Sequence, residues 1–281
     1  MEGYKERKAI IDKTKRMVVK VGTGVLTKEN GELDIERIKK LVKQIVDIKK
    51  SGREIVLVTS GAIAGGMGRI GLRGRPDELP IHLKQTCAAI GQIELMKQYG
   101  MEFSKYGIIP AQVLITEEDL QNEEKYRNLW TTLSTLIAMG AIPIINENDV
   151  VSTHELEEID DNSLIKFGDN DKLSALVARR IYADLLIILT TTDGYYVTRD
   201  GKMEIVKRIK KITPTMIEES SGKSSMGRGG IKSKLRAAAI AMNGGVHVII
   251  ANGTKEGILN RILEGEEEGT IFISEVDKRC V

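Results

Sequence analysis

Three glycine-rich turns, each with lysines or short acidic residues nearby, are the parts of this sequence that could do chemistry. In the most distinctive of them, Gly168 is followed by Asp169, Asn170 and Asp171, and the apolar spacing that follows predicts a helix. Free backbone N–H groups gather where a helix begins, and short polar side chains cap them. Taken alone, this segment is typical of a helix cap with a solvated acidic rim.

Lysines accompany the other two turns. Lys20 precedes Gly22-Thr23-Gly24, and Lys232 and Lys234 follow residues 227–230 at a predicted helix start. Glycine lets the backbone approach a phosphate closely, and a helix start also favours negative charge. A phosphoryl group in transfer spreads negative charge over its oxygens, and its catalysis is mostly positioning and cationic stabilisation. Two lysines from distant parts of the chain suit that task.

The two aspartates of the first turn could support such a site. Asp169 and Asp171 could hold the lysines, or a Mg²⁺ ion, which prefers carboxylate and phosphate oxygens. The simpler interpretation of any one lysine is a solvated surface residue, because the chain has 42 lysines and arginines. The joint pattern favours phosphoryl transfer.

Familiar nucleotide motifs are incomplete in this chain. Gly22-Thr23-Gly24 is followed by Thr27 where the dinucleotide fingerprint needs glycine. Gly222-Lys223-Ser224 resembles the end of a Walker A loop, but Ile217 occupies its first glycine position. The His-Arg-Asp and Asp-Phe-Gly motifs of protein kinases are missing from the sequence. Dinucleotide-binding and protein-kinase interpretations are therefore disfavoured.

Predicted strands alternate with predicted helices along the chain. This alternation predicts an α/β fold with a mainly parallel sheet and helices on both faces. The strands are predicted at 17–21, 55–58, 108–115, 141–145, 185–189, 246–250 and 270–273, and the helices at 34–51, 81–106, 117–139, 173–181, 231–243 and 258–263. In such sheets the ligand lies outside the carboxyl ends of the strands. The segments to inspect are therefore 20–24, 59–62, 146–149 and 190–194.

Composition narrows the class of protein. The formal net charge of +2 disfavours a dedicated nucleic-acid surface, and aromatic residues make up only 4% of the chain, so aliphatic side chains must build the core. The sequence has no apolar run of membrane-spanning length, and its charged N-terminus lacks a signal-peptide pattern, so we expect a cytoplasmic protein. Cys87 and Cys280 lack zinc or redox spacing, and the three histidines form no metal-binding pair.

Four segments together resemble the amino acid kinase family: 18–26, 58–66, 143–149 and 166–175. The resemblance runs from about residue 17 to residue 274, in the same order along the chain. It implies an open αβα sandwich with a mainly parallel central sheet. It also implies ATP-dependent phosphorylation of the L-glutamate side-chain carboxylate, which opens proline biosynthesis. ATP and Mg²⁺ would be required for the reaction. The resemblance further implies feedback regulation by proline and assembly into a homodimer or homotetramer. The division it implies is an extension at 1–16 and one domain at 17–281, with acceptor and nucleotide lobes at about 17–180 and 181–281.

The resemblance also implies roles for individual residues. Lys20 and Lys234 match the two catalytic lysines, and Asp171 matches the aspartate that orients both of them. The matches to glutamate-binding positions are Ser60, Gly61, Ala62, Asp149 and Asn170. The matches to nucleotide-binding positions are Lys20, Gly22, Thr23, Gly24, Thr190, Thr191, Arg228, Gly229, Gly230, Ile231, Lys232, Ser233 and Lys234.

The chain departs from the family pattern at several points. Thr191 replaces the usual aspartate after the nucleotide-side strand, and Arg228 and Ile231 replace threonine and methionine. Residues 156–164 form a longer stretch than usual, and the chain ends at Val281, where many relatives continue into a PUA domain. Two alternatives stay open. One is a kinase of the same fold acting on acetylglutamate, aspartate or UMP, and the other is a sensor that binds both ligands without turnover.

Overall fold

A computed structural model describes residues 2–152, 170–220 and 230–277. Its centre is an eight-stranded sheet in the order β3-β4-β2-β1-β5-β9-β10-β8, beside which β6 and β7 form a separate hairpin. All neighbouring strands of the sheet are parallel except β9 and β10. The strands are β1 (Arg16–Val21), β2 (Glu54–Val58), β3 (Pro110–Ile115), β4 (Ile142–Glu147), β5 (Leu185–Thr190), β6 (Tyr196–Arg199), β7 (Lys202–Ile205), β8 (Arg208–Ile209), β9 (His247–Asn252) and β10 (Thr270–Phe272).

Helices cover both faces of this sheet, which confirms the predicted α/β sandwich. Within the described residues they are α1 (Glu2–Lys13), α2 (Thr23–Leu26), α3 (Ile35–Lys50), α4 (Ala62–Ile70), α5 (Ile81–Ser104), α6 (Glu117–Gln121), α7 (Glu123–Ala138), α8 (Asn170–Arg180), α9 (Pro214–Glu219), α10 (Gly230–Asn243) and α11 (Ile258–Glu264), with a 3-10 turn at Pro76–Glu78. The helix predicted over 117–139 is two helices, because Asn122 caps a new start by accepting from the Lys125 N–H at 3.0 Å. Among the residues that the structure describes, no helix is long and apolar enough to cross a membrane.

Aliphatic residues fill two cores, one on each side of the sheet. Val19 of β1 faces the core that α3, α5 and α11 cover, whereas its neighbour Val18 faces the core that α7, α8 and α10 cover. Successive side chains of a strand point to opposite faces, so a strand buried on both sides must be apolar throughout. This is why Met17-Val18-Val19 and Leu185-Leu186-Ile187-Ile188-Leu189 are continuous apolar runs.

The sheet order places the predicted strand ends side by side. From β1 the chain moves to β2 on one side, and it later returns to the other side of β1 at β5. Such a reversal is where ligands bind in open parallel sheets, at the carboxyl ends of the strands. The turns that follow β1, β2, β4 and β5 therefore share one edge of the molecule.

Helices α4 and α5 cross at backbone-to-backbone distance next to this edge. A Cβ on Gly66 would overlap the carbonyl oxygen of Cys87, and a Cβ on Gly91 would overlap that of Ala62. The crossing fixes α5 against the turn that ends β2, because Ala62 is the first residue of α4.

Alanine at Gly91 is therefore expected to destabilise the protein by about 3 kcal/mol or more, since overlap with a backbone atom can be relieved only by separating the helices. Gly100→Ala on the same helix is the matched control. A Cβ there meets no atom within 4 Å, and alanine is the better helix former by up to about 1 kcal/mol. Urea denaturation of both variants measures the difference, and equal midpoints would contradict the close crossing.

Helix α1 packs on the rest of the domain in the structure. Ile11 of α1 is fully buried, and Arg7 donates from Nη2 to the backbone oxygen of Glu268. Glu6 pairs with Arg208 and Lys210 near the sheet edge. The division into an extension and two lobes stays a prediction.

Candidate active site

A buried carboxylate between two lysines lies at the strand ends. Asp171 is in the first turn of α8, Lys20 is on β1 and Lys234 is on α10. Lys20 Nζ lies 2.6 Å from Asp171 Oδ1, and Lys234 Nζ lies 3.0 Å from Oδ2. The side chains are 7%, 11% and 3% exposed for Lys20, Lys234 and Asp171. The structure thus brings together three residues that are far apart in the sequence, whereas their catalytic roles stay a prediction.

Electrostatics keep this carboxylate ionised. Burial by itself would raise the pKa of Asp171, but the charges of Lys20 and Lys234, and hydrogen bonds from Lys20 and the Ser233 hydroxyl, hold that pKa well below its usual range. The Ser233 hydroxyl donates to Oδ2 at 2.7 Å, and Lys234 Nζ also donates to the Gly230 carbonyl oxygen at 2.8 Å. Among the described residues, two ammonium groups face this one carboxylate, so the three groups together carry one net positive charge. An anionic ligand would balance it.

The glycine turn after β1 lies against the end of β5. The Gly22 N–H donates to the Leu189 carbonyl oxygen at 3.0 Å, and a Cβ on Gly22 would lie 3.5 Å from Lys20 Nζ. A Cβ on Gly24 would lie 3.0 Å from Thr191 Cγ2. The turn that starts α2 and includes Thr23 therefore meets Thr191, so two predicted nucleotide-binding segments are adjacent.

Two of the predicted acceptor residues, Asn170 and Ser60, hydrogen-bond to each other beside Asp171, and Asn170 begins a chain of side-chain amides. Asn170 Nδ2 donates to Ser60 Oγ at 3.0 Å and to Asn146 Oδ1 at 3.1 Å. Asn146 Nδ2 donates in turn to Gln92 Oε1 at 2.9 Å. Asn170 is only 8% exposed, and it precedes Asp171 directly. The amide cluster and the lysine cluster therefore share one helix start.

Other predicted acceptor residues line the same strand ends. Gly61 has a φ of +100°, a conformation that glycine adopts without strain, and it lets α4 begin immediately at Ala62. Asp149 is half-buried, two residues beyond the end of β4. On the nucleotide side, Thr190 ends β5, and Gly230, Ile231 and Lys232 start α10.

Some predicted positions lie outside the described residues. These are Asp169, Arg228 and Gly229, together with the stretch at 156–164 and Cys280. Nothing structural bears on their predicted roles. Cys87 is buried, and burial raises the pKa of its thiol.

Sequence reasoning missed two groups near the site. The first group consists of Gln92 and Asn146. The second group is the ion pair of Asp193 and Lys255. Lys255 Nζ lies 3.0 Å from Asp193 Oδ1, and its hydrogen bond helps lower the pKa of the Asp193 carboxyl. Asp193 lies in the strand-end segment that the sequence analysis had marked, whereas Gln92 lies in the middle of a long helix and has no local signal.

Within the described part of the chain, Asp171 is poorly placed to bind a metal ion. Both of its oxygens already face ammonium groups, at 2.6 and 3.0 Å. In the described part of the chain, no group of three His, Cys, Asp or Glu side chains could hold a metal ion. In kinase sites Mg²⁺ is commonly bound by the substrate phosphates, so it needs few ligands from the protein.

Comparisons with known proteins identify the family to which this sequence and fold belong. The model of the amino acid kinase family matches residues 15–252. The glutamate 5-kinase of Clostridium perfringens is 44% identical over 274 residues, which cover 95% of this chain and 98% of that protein. The glutamate 5-kinase of Caldanaerobacter subterraneus is also 44% identical, over 92% of this chain and 68% of that protein. Among solved structures, UMP kinase from Bacillus anthracis has a TM-score of 0.57 at 14% identity and covers 94% of this chain and 97% of that one, a likeness of fold. On the family match and on these identities, the chain belongs to the amino acid kinase family.

Proposed function

We propose that this protein transfers the γ-phosphoryl group of ATP to the side-chain carboxylate of L-glutamate, giving γ-glutamyl phosphate and ADP. The observation that carries the proposal is the buried cluster of Lys20, Asp171 and Lys234 with its unbalanced positive charge, directly beside the amides of Asn170 and Asn146. The two glutamate 5-kinases that are 44% identical to this chain support glutamate as the acceptor. This product would enter proline biosynthesis.

The reaction needs charge stabilisation more than proton transfer. A glutamate side chain is ionised at neutral pH, so its oxygen can attack the γ-phosphorus without a general base. A bond forms between that oxygen and phosphorus, and the bond from phosphorus to the bridging β-phosphate oxygen breaks. Negative charge develops on the transferred group and on the leaving oxygen. Lys20 and Lys234 stabilise this charge from two different elements of the fold.

Asp171 acts through the lysines. Each of its oxygens faces one ammonium group, so it fixes the separation of the two charges and prevents them from repelling each other. It is a positioning residue in this scheme. Because the three groups are held before substrate binds, little reorganisation is needed at the moment of transfer.

The remaining assignments follow the two sides of the site. Ser60, Gly61, Ala62, Asp149 and Asn170 hold glutamate in this proposal. The nucleotide side consists of the turn at 22–24, Thr190, Thr191 and residues 228–234. When bound with ATP, Mg²⁺ would neutralise phosphate charge. Homo-oligomer formation and proline feedback are proposals that rest on the family resemblance, and a cytoplasmic location is a proposal that rests on the sequence pattern alone.

A panel of acceptors tests the proposal. ADP release is measured with L-glutamate, acetylglutamate, aspartate and UMP at equal concentrations. We expect L-glutamate to give a kcat/KM at least about a hundredfold above the others, since a site with buried polar groups rejects ligands that leave those groups unpaired. Faster release with another acceptor would replace glutamate in the proposal. Binding of ATP and glutamate by calorimetry without ADP release would indicate a sensor.

A further inference from the structure

The amides beside Asp171 are ordered head to tail. Gln92 offers its oxygen to the Asn146 amide nitrogen, and Asn146 offers its oxygen to the Asn170 amide nitrogen. Every side-chain amide has one donating end and one accepting end. If one member of the chain turned over, donors or acceptors would face each other at its neighbours. The orientation of the three amides is therefore coupled.

Within the described residues, each end of the chain is a buried atom without a hydrogen-bond partner: Gln92 Nε2 at one end and Asn170 Oδ1 at the other. Asn170 uses its nitrogen for Ser60 and Asn146, which leaves Oδ1 buried and without a hydrogen bond among the described residues. A buried acceptor without a donor is costly, and in native structures such an atom calls for an explanation. At a site for an amino acid, the α-ammonium group is the donor that an oxygen of this kind would bind.

We propose that Gln92 is a positioning residue for substrate specificity. By accepting from Asn146, Gln92 favours the orientation of the amide chain in which Asn170 Oδ1 is free to accept from the ammonium group of the acceptor amino acid. This inference rests on the proposed function, because it takes the acceptor to be an amino acid that Asn170 holds.

The fold gives Gln92 a fixed place. Its neighbour Gly91 is one of the two glycines at the crossing of α4 and α5, where there is no room even for a Cβ. The same crossing holds Ala62, two residues after Ser60. Gln92 is therefore at a fixed depth relative to the turn that contacts Asn170. A longer or mobile connection would not hold an amide chain in one direction.

Two substitutions distinguish the effect of the Gln92 acceptor oxygen from the effect of its side-chain volume. Gln92→Met keeps similar volume but removes the acceptor, and Gln92→Glu keeps an oxygen in its place. The readout is kcat/KM for L-glutamate divided by kcat/KM for glutarate, which has the same two carboxylates but lacks the ammonium group. We expect Gln92→Met to lower this ratio about tenfold, mainly by raising KM for L-glutamate. The ratio in Gln92→Glu should stay within about threefold of the wild-type ratio.

Gln98→Met is the matched control on the same helix. Gln98 Nε2 donates to Glu94 Oε1 at 2.6 Å within α5, away from the amide chain, so the ratio should not change. An equal loss for both acceptors in the Gln92→Met protein, or an unchanged ratio, would overturn the inference. If that variant does not fold, Gln92→Leu, which also lacks the acceptor, takes its place: a ratio lowered about tenfold supports the inference, and an unchanged ratio overturns it.

The outcome is distinguishable from failure of the proposed function. If the wild-type protein does not phosphorylate glutamate, the function fails before any Gln92 variant is made. If the wild type is active and all of the variants keep its preference for glutamate over glutarate, only the role of Gln92 fails. KM for ATP in the same proteins reports on the nucleotide side and is expected to stay within about twofold of the wild type.

Discussion

Replacing Lys20 with methionine is expected to lower kcat about a thousandfold or more, with a much smaller effect on KM for glutamate. Lys20 supplies one of the two buried positive charges at the site, and a cation placed at a transferring phosphoryl group contributes about 10³ to 10⁵ in rate. Methionine keeps the length and the apolar stem of lysine. Lys234→Met should have an effect of the same order, because its ammonium group faces the other oxygen of the same carboxylate. Single-turnover ADP formation measures the chemical step directly.

Lys172→Met is the control for both variants. Lys172 follows Asp171 in the sequence, but its ammonium group pairs with Glu117 at 2.6 Å and is partly exposed. Its loss should change kcat by less than about threefold, because its ammonium group pairs with Glu117 and not with Asp171. An ordinary rate in the Lys20 and Lys234 variants would remove both lysines from the mechanism. Circular dichroism of the variants would show whether a lost rate reflects a lost fold.

Asp171→Asn is expected to lower both kcat and stability. The substitution keeps the shape of the side chain but leaves two buried ammonium groups without a counter-charge. Removing one partner of a buried ion pair costs about 3 to 5 kcal/mol. We expect kcat to fall about a hundredfold or more, since the lysines would no longer be held in position for the transferred group. Urea denaturation at neutral pH measures the stability of the variant.

The pH dependence of stability gives a second test of Asp171. Its pKa is lower in the folded protein than in the unfolded chain, so its contribution is complete above about pH 4 and is lost as the pH falls through the folded-state pKa. The gap in unfolding free energy between the wild type and Asp171→Asn should therefore narrow on acidification from neutral pH. A constant gap between pH 7 and pH 3 would show that Asp171 is not held ionised by the lysines.

Much of the fold could be predicted because its signals are local. β-branched runs stopped by glycine mark β1 and β2, and the apolar spacing from Ile38 to Ile45 marks α3. The meeting of Lys20 and Asp171 was predictable only in outline, from the rule that parallel strands end at one edge. The family resemblance supplied the individual roles.

The rest could not be predicted because it depends on packing between distant elements. Gln92 is one of three glutamines in α5, and nothing in the local sequence distinguishes it; the crossing of α4 and α5 places it beside Asn146. The packing of α1 was hidden in the same way. The sequence indicated only a charged extension, and it gave no sign that Ile11 would be buried or that Arg7 would reach the loop before β10.

The unbalanced charge of the lysine cluster has a consequence for the working enzyme. Two ammonium groups that share one carboxylate attract any small oxyanion, so inorganic phosphate or sulfate in the medium would compete with the nucleotide for the space between them. The same attraction acts on the products, because ADP and an acyl phosphate are both anionic. The same two lysines that stabilise the transferred group would therefore also slow the release of both products.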